Sequence, residues 1–319
     1  MTGRGGGARD DGRLGPHASR AWDTPLLLGA TAAWGGAFVA TKDAVLAYSA
    51  AGFLAGRFAL AALALAPLAR RTLTRRTLAV GAGIGLVLAL AYALQSLGLR
   101  GTTPTNAGLI SGFLVVTAPL VDRLLFRVRV RRSALIAAAL SVAGLALLTG
   151  GAPAGPTSGD GLVLLSTAAF GVYVALLSRH AAGHDAWALT CAQMLAVAAV
   201  FALAWPLSGP VRLPPPSVWP ALLATGVVAS AGGFWAQTFV QQRMPVARLA
   251  LINNMEPVFA ALCGYGLAGD RLAAPQLLGG LLILSAVIAG GPALARGRGR
   301  EGAPPARDGR FYHVIDKDR

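Results

Sequence analysis

Charged residues are scarce in this chain of 319: Asp, Glu, Lys and Arg make up 13% of it, about half the share of an ordinary soluble domain. That excludes a water-facing surface over most of its length. Cysteine is scarcer still. Cys191 and Cys263 both fall inside apolar stretches, so neither a disulfide framework nor a thiolate metal cluster follows from them. The four histidines are scattered; His180 and His184 flank Gly183 with no third ligand near, which reads as a solvated loop. The first 25 residues lack the apolar core of a signal peptide, so Leu26 onward reads as a first membrane span. The apolar runs also lack the period-2 alternation of an outer-membrane barrel.

What the chain does have is apolar length. Hydrophobic residues account for 55% and mean hydropathy is +0.60. They fall in runs of roughly 20 residues, about 30 Å as helix, the thickness of a bilayer's hydrocarbon core. The fold class expected is an all-α polytopic membrane protein with ten transmembrane helices. The predicted spans are 26–46, 51–69, 78–98, 105–126, 133–150, 161–179, 186–207, 218–239, 246–267 and 272–291. Turn-rich stretches separate them, such as "GAPAGPTSGD" from Gly151 and "SGPVRLPPPS" from Ser208.

The net charge of +15 does not point to nucleic acid, because the arginines sit in short loops and tails. Of 28 Lys and Arg, all but Lys42, Arg57, Arg100, Arg212 and Arg271 fall on one set of alternate loops. By the positive-inside rule both termini are then cytoplasmic, in a multi-pass protein of the cell membrane. Trp22, Trp187, Trp205 and Trp219 are expected in interfacial belts.

The two halves of the chain resemble each other. Residues 34–58 and 170–194 align without a gap, setting Trp34-Gly35 against Phe170-Gly171 and Arg57-Phe58 against Gln193-Met194. "YALQ" from Tyr92 meets "FWAQ" from Phe234, and "APLVDRLLF" from Ala118 meets "EPVFAALCG" from Glu256. Two repeats of five spans enter the membrane in opposite senses, because five is odd. The expected organisation is a cytoplasmic tail (1–25), a first five-helix repeat (26–150), an extracytoplasmic linker (151–160), a second, inverted five-helix repeat (161–291) and a basic cytoplasmic tail (292–319). Such a plan places a substrate site near the midplane between halves.

"WGGAFVATK" (Trp34–Lys42), "AGRFALAAL" (Ala55–Leu63), "ALQSLGL" (Ala93–Leu99), "TNAGLISGFLVVTAPL" (Thr105–Leu120) and "AQTFVQQRMPVARLALINNMEPVFAAL" (Ala236–Leu262) together resemble the EamA family of the drug/metabolite transporter superfamily, over about residues 25–292. The resemblance implies an exporter-like ten-helix fold without an ATPase, moving small metabolites, amino acids or drugs. Two departures stand out. Where the family often has Gly-Glu after the proline-bearing helix, the second half has Gly269-Asp270 and the first has "RVRVRR" (Arg127–Arg132).

Glu256 is the leading candidate for a functional residue, since a membrane acid is expensive unless it works or is paired. As a substrate-binding and proton-coupling group it would share a helix face with Asn253. Gln95 and Gln237 occupy matching places in the repeats and suit either substrate contact or inter-helix hydrogen bonds. Trp34 and Trp235 are embedded and could wall a cavity. Arg57 could bind an anion or snorkel to headgroups, as could Lys42. Ser111 is a weaker substrate-binding candidate, as are Thr117, Asn106 and Asn254. Pro119 and Pro257 would be repeat-related hinges, because a proline inside a helix frees a carbonyl and bends the axis. The pairs Gly52/Gly56, Gly81/Gly85 and Gly108/Gly112 let helices approach closely.

The reading is a secondary transporter working by alternating access and exporting a small-molecule substrate, with proton coupling left open. It needs the lipid bilayer but no nucleic acid, cofactor, metal or catalytic residue; a homodimer is left open. The alternatives are an embedded enzyme acting on a lipid-linked substrate and a membrane sensor or scaffold.

Overall fold

The computed structural model describes residues 21–98, 100–101, 110–148, 157–267 and 273–295. Among them all regular structure is helical. We number the helices α1 (Asp23–Ala47), α2 (Ala50–Ala69), α3 (Arg75–Gly98), α4 (Leu114–Phe126), α5 (Arg132–Leu148), α6 (Ser158–His180), α7 (Ala186–Ala204), α8 (Pro216–Gln241), α9 (Val246–Asn253), α10 (Glu256–Leu267) and α11 (Ala274–Ala295). Six stretches are long and apolar enough to cross a membrane: α2, α3, α6, α7, α8 and Val246–Cys263, which joins α9 to α10. Arg132–Leu148 and Ala274–Ala289 are shorter apolar helices. The chain is a multi-pass membrane protein. Its many outward leucines, such as Leu63, Leu124, Leu203 and Leu281, are what a lipid-facing surface requires.

Local chemistry sets several helix ends. Thr157 and Asp160 form a reciprocal capping box at the start of α6. Asp185 caps α7 by accepting from the Ala188 amide. Three helices depart from the uninterrupted spans expected. Residues 224–232 of α8, "ATGVVASAG", form a π-helix between α-helical ends. The fourth span is broken by a turn at Phe113, just before α4. The ninth is broken by a turn at Asn254–Met255. Pro257 has no N–H to offer the Asn253 carbonyl, so the ladder cannot run through, and Glu256-Pro257 opens a new helix instead. This corrects two expectations: Pro257 stands in the first turn of α10 rather than mid-helix, and Asn253 and Glu256 lie on opposite sides of a break rather than one turn apart. Pro119 does lie inside α4 and is buried, next to Ala118, whose backbone lies against Gly171 of α6.

The packing is almost entirely between the two halves of the chain. α1 packs on α8 and α10; the counterpart contacts, α6 on α3 and on α4, are also made. α2 packs on the π segment of α8, and α7 packs on α3 in return. The pairs α2–α7, α4–α9 and α5–α11 join equivalent helices. Contacts inside the first half are few; α1 and α2 barely touch. Small residues permit these crossings. Gly81 and Gly85 both lie against α7, as their spacing suggested. At the α5–α11 crossing a Cβ on Gly144 would lie 2.7 Å from the Gly279 carbonyl, and one on Gly279 would collide with the Gly144 carbonyl. Gly108, the motif Gly269-Asp270 and Arg271 lie outside the described residues.

Candidate functional site

The site grows out of the π segment. Widening a helix to i→i+5 bonding shifts the hydrogen-bond register and leaves backbone groups available to other partners; such segments recur at functional sites. Here the Ala229 carbonyl accepts from Trp34 Nε1 of α1 at 2.7 Å. The next residue, Ser230, accepts through Oγ from Arg57 Nε of α2 at 2.7 Å. Glycines admit both partners: a Cβ on Gly233 would lie 2.7 Å from Trp34 Nε1, and one on Gly226 3.0 Å from the Arg57 carbonyl.

Arg57 is 6% exposed. Seven residues into α2, about 10 Å from its start, it does not snorkel. Its guanidinium carbon lies 5.4 Å from the Phe58 ring centre and 5.7 Å from that of Tyr92. Glu256 is near enough for its charge to act on Arg57, but the two form no salt bridge within 4 Å among the described residues. A cation taken out of water needs partners of this kind: a hydroxyl, ring faces and an opposite charge.

Aromatic rings frame the pair. Trp34 and Phe234 lie 5.4 Å apart, Phe58 and Tyr92 5.1 Å, Tyr92 and Phe170 5.4 Å, and Tyr173 and Phe234 6.1 Å. Glu256 enters from the first turn of α10, where α1 closes on it: a Cβ on Gly35 would lie 2.8 Å from the Glu256 carbonyl. Glu256, Tyr92 and Phe170 are each half-buried, whereas Phe58 and Tyr173 are sealed. Just before Glu256, at the helix break, Asn253 Oδ1 and Asn254 Nδ2 are buried with no protein partner among the described residues. Broken helices at membrane depth are tolerated where they are buried in protein or line a polar cavity.

Of the residues expected at the site, Trp34, Arg57 and Glu256 come together, with Asn253 beside Glu256. Gln95 is half-buried on α3, one turn beyond Tyr92. Ser111 is half-buried at the Phe113 break, while Thr117 donates to the Thr167 carbonyl at 3.4 Å. Gln237 is buried, its Nε2 donating to Gln241 Oε1, and Gln241 donates to the Val174 carbonyl of α6. Trp235 packs elsewhere, stacked on Trp187 at 4.2 Å and on Phe239 at 5.5 Å. Trp187 and Trp205 stand at the two ends of α7, each half-buried, Trp205 against Gly52 and Tyr48. The Lys42 side chain and Asn106 lie outside the described residues. Sequence reasoning overlooked Ser230, Phe58, Tyr92 and Phe234 as site residues. Tyr92 and Phe234 were visible as the first letters of the matching "YALQ" and "FWAQ".

Both ends of the bundle are latched. At one end the 1% exposed Asp23 takes both Nε and Nη2 of Arg243, the latter at 2.7 Å, and Arg248 donates to Thr24 at 2.9 Å. Arg243 also lies 4.2 Å over the Phe239 ring. On this end Thr72 donates to Asp185 at 2.9 Å, and Thr77 Oγ1 meets His184 Nδ1 at 2.9 Å. At the other end the Tyr48 hydroxyl donates to the Arg212 carbonyl at 2.6 Å, with Tyr48 edge-on to Trp205.

A polytopic helical bundle with charges and aromatic rings held between its halves defines a class of membrane protein, and comparison with known proteins narrows it. The model of the EamA-like transporter family matches twice, at residues 23–150 and 157–289. The chain belongs to the EamA-like transporter family, a family of transporters rather than enzymes. An "Uncharacterized transporter" of Archaeoglobus fulgidus is 29% identical over 208 residues, 64% of this chain and 66% of that protein. "Uncharacterized protein PA1977" of Pseudomonas aeruginosa is 36% identical over 210 residues, 62% of this chain and 68% of that protein. The chain thus spans about two thirds of the length of these relatives. A solved structure titled "Crystal structure of protein" shares the fold with a TM-score of 0.73, covering 87% of this chain and 99% of that one at 22% identity.

Proposed function

We propose that this protein is a secondary transporter that exports a small metabolite, amino acid or drug across the cell membrane by alternating access. Ten crossings in two inverted five-helix halves, with both termini cytoplasmic, are the topology this reading uses. The doubled family match and the reciprocal helix contacts support it. The substrate lies between the halves against Trp34, Arg57, Tyr92, Phe170, Phe234 and Glu256, with Asn253 and Gln95 at its edges. The observation that carries the reading is the pair Arg57 and Glu256: opposite charges from different halves, held inside a ring of aromatic faces. Such a box suits a compact guest with an apolar, often planar, body and at least one ionised group.

Glu256 serves as the proton-linked group. Ionised, it holds a cationic group of the substrate while Arg57 takes an anionic or polar one; protonated, it lets the substrate go. Proton and substrate thereby exclude each other, as export driven by an inward proton gradient requires. Pro119, the Phe113 break and the Asn254–Met255 break are the places where α4, α9 and α10 bend as one end opens. The latched ends describe the closed form of this cycle. A homodimer adds a second pathway and is not needed to complete the first.

The test is uptake into proteoliposomes of the full chain, screened over amino acids, metabolites and cationic and anionic drugs with and without a pH gradient. The expected result is gradient-dependent flux of at least one compound, made indifferent to the gradient by Glu256→Gln. Flux and pH response unchanged in that variant would exclude the proton role. An absence of flux for all compounds from a folded protein would count against transport of these classes.

A further inference from the structure

The stretch "RVRVRR" from Arg127, which departs from the family pattern, is used nowhere in the transport reading. α4 ends there. The Arg127 amide donates to the Arg123 carbonyl at 2.8 Å, and Arg127 itself takes φ 56°, the left-handed region that non-glycine residues seldom enter. That single residue turns the chain back on the helix end. The result is a recess of about 470 Å³ lined by Arg123, Arg127, Val128, Arg129 and Val130. All three arginines are exposed, and none is ion-paired among the described residues. Asp122, the nearest carboxylate in sequence, is already engaged within the protein. A helix C-terminus carries about half a negative charge, which one arginine offsets; two further guanidinia remain over.

The recess sits at the end of the bundle that carries the Asp23–Arg243 latch, because Arg179 at the end of α6 lies 5.6 Å over the Phe126 ring. From it an apolar strip runs back along α4 toward the membrane centre: Leu124 is 71% exposed, and Leu120 and Leu125 are open as well. Planar guanidinia grip a phosphodiester's oxygens in pairs. Leucines one and two turns deeper accept acyl chains. Basic recesses of this kind at the cytoplasmic ends of membrane helices suit anionic headgroups. We propose that the Arg123–Arg127–Arg129 recess is a binding site for the phosphodiester headgroup of an anionic phospholipid, whose acyl chains lie along Leu120 and Leu124. A dissolved phosphate meets the same arginines but gains nothing from the leucine strip, so the site selects the lipid.

The test uses the purified full chain in detergent, with retained lipid counted by native mass spectrometry after incubation with phosphatidylglycerol, phosphatidylcholine or both. A parallel arm adds glycerol phosphate and inorganic phosphate as competitors. The expected result is preferential retention of phosphatidylglycerol. The preference falls at least tenfold in Arg123→Gln/Arg127→Gln/Arg129→Gln, on the order of fivefold per arginine at a membrane surface. The corresponding triple lysine variant, which keeps the charge but loses the paired grip, retains a preference between those of the wild type and the glutamine variant, which guards against misfolding. Arg70→Gln/Arg71→Gln/Arg75→Gln removes equal charge from another loop and keeps the preference. Equal retention of both lipids by the wild type would overturn the proposal, as would loss in the loop control matching that in the recess variant. Displacement of phosphatidylglycerol by millimolar inorganic phosphate would overturn the lipid assignment.

Discussion

The Trp34 and Phe234 rings stand 5.4 Å apart, and so do the rings of the residues aligned with them in the opposite halves, Phe170 and Tyr92. The aromatic frame therefore repeats across the bundle while the charge does not. Arg57 aligns with Gln193 and Glu256 with Ala118. Each half thus contributes one charge that has no charged counterpart in the other.

Ser230 is the hydroxyl partner of Arg57. Hydrogen bonds to charged groups contribute about 1.5–3 kcal/mol. Ser230→Ala should destabilise the fold by roughly that amount and loosen Arg57, raising the half-saturating substrate concentration; Ser230→Thr should retain most of both. Thermal melting alongside a flux titration reads the two effects. A threonine variant as impaired as the alanine one would mean that space, not the hydroxyl, matters at this position.

Trp34→Phe keeps an aromatic ring but deletes the donor to the Ala229 carbonyl. The expected loss is about 1 kcal/mol for the bond, against about 3–5 kcal/mol for Trp34→Ala, which also leaves a cavity. Amide exchange should rise locally over residues 224–232 in both. Unchanged protection there in Trp34→Phe would show that the π segment holds its shape without the indole.

Removing one member of a buried ion pair costs about 3–5 kcal/mol because the other charge is stranded. Asp23→Ala should approach that figure, since Asp23 is almost wholly covered and Arg243 nearly so. The latched end should also open, seen as faster alkylation of a cysteine placed at Thr24. A melting temperature within a degree of the parent would contradict the assigned role of the pair.

His184 lies in the loop between α6 and α7, outside the spans. Burial lowers its pKa below the ordinary histidine value, and Arg76 and His180 lower it further. Its folded form therefore resists protonation. Above the unfolded pKa of about 6.5 this group leaves stability untouched; as pH falls from there through the folded pKa, stability is lost, because the unfolded chain binds the proton more readily. His184→Gln should flatten that part of the stability-versus-pH curve. Melting curves between pH 5 and 8 make the comparison, and a variant as acid-sensitive as the parent would place the titration elsewhere.

Much of the architecture could be read from apolar run length. α3 and α6 begin and end within a few residues of the expected bounds, since the clumped arginines and the turn-rich linkers punctuate sharply. Arg57 and Glu256 also announced themselves, because a charge in an apolar run has few explanations. The π segment did not. Hydropathy registers which residues are apolar, not how many the backbone packs into a turn, and "ATGVVASAG" is as compatible with an α-helix as with a wider one. The break before Glu256 needed more than the proline beside it, since Pro119 sits in α4 without ending it. Trp187 stands at a span end, and its stacking on Trp235 could not be read from hydropathy.

Because nearly every large helix contact joins one half of the chain to the other, the amino-terminal helices leave the insertion machinery before the surfaces that cover them have been made. Gly144 then waits for Gly279 until α11 arrives. Closure of the first half's apolar faces is thus completed late, when the last helix docks.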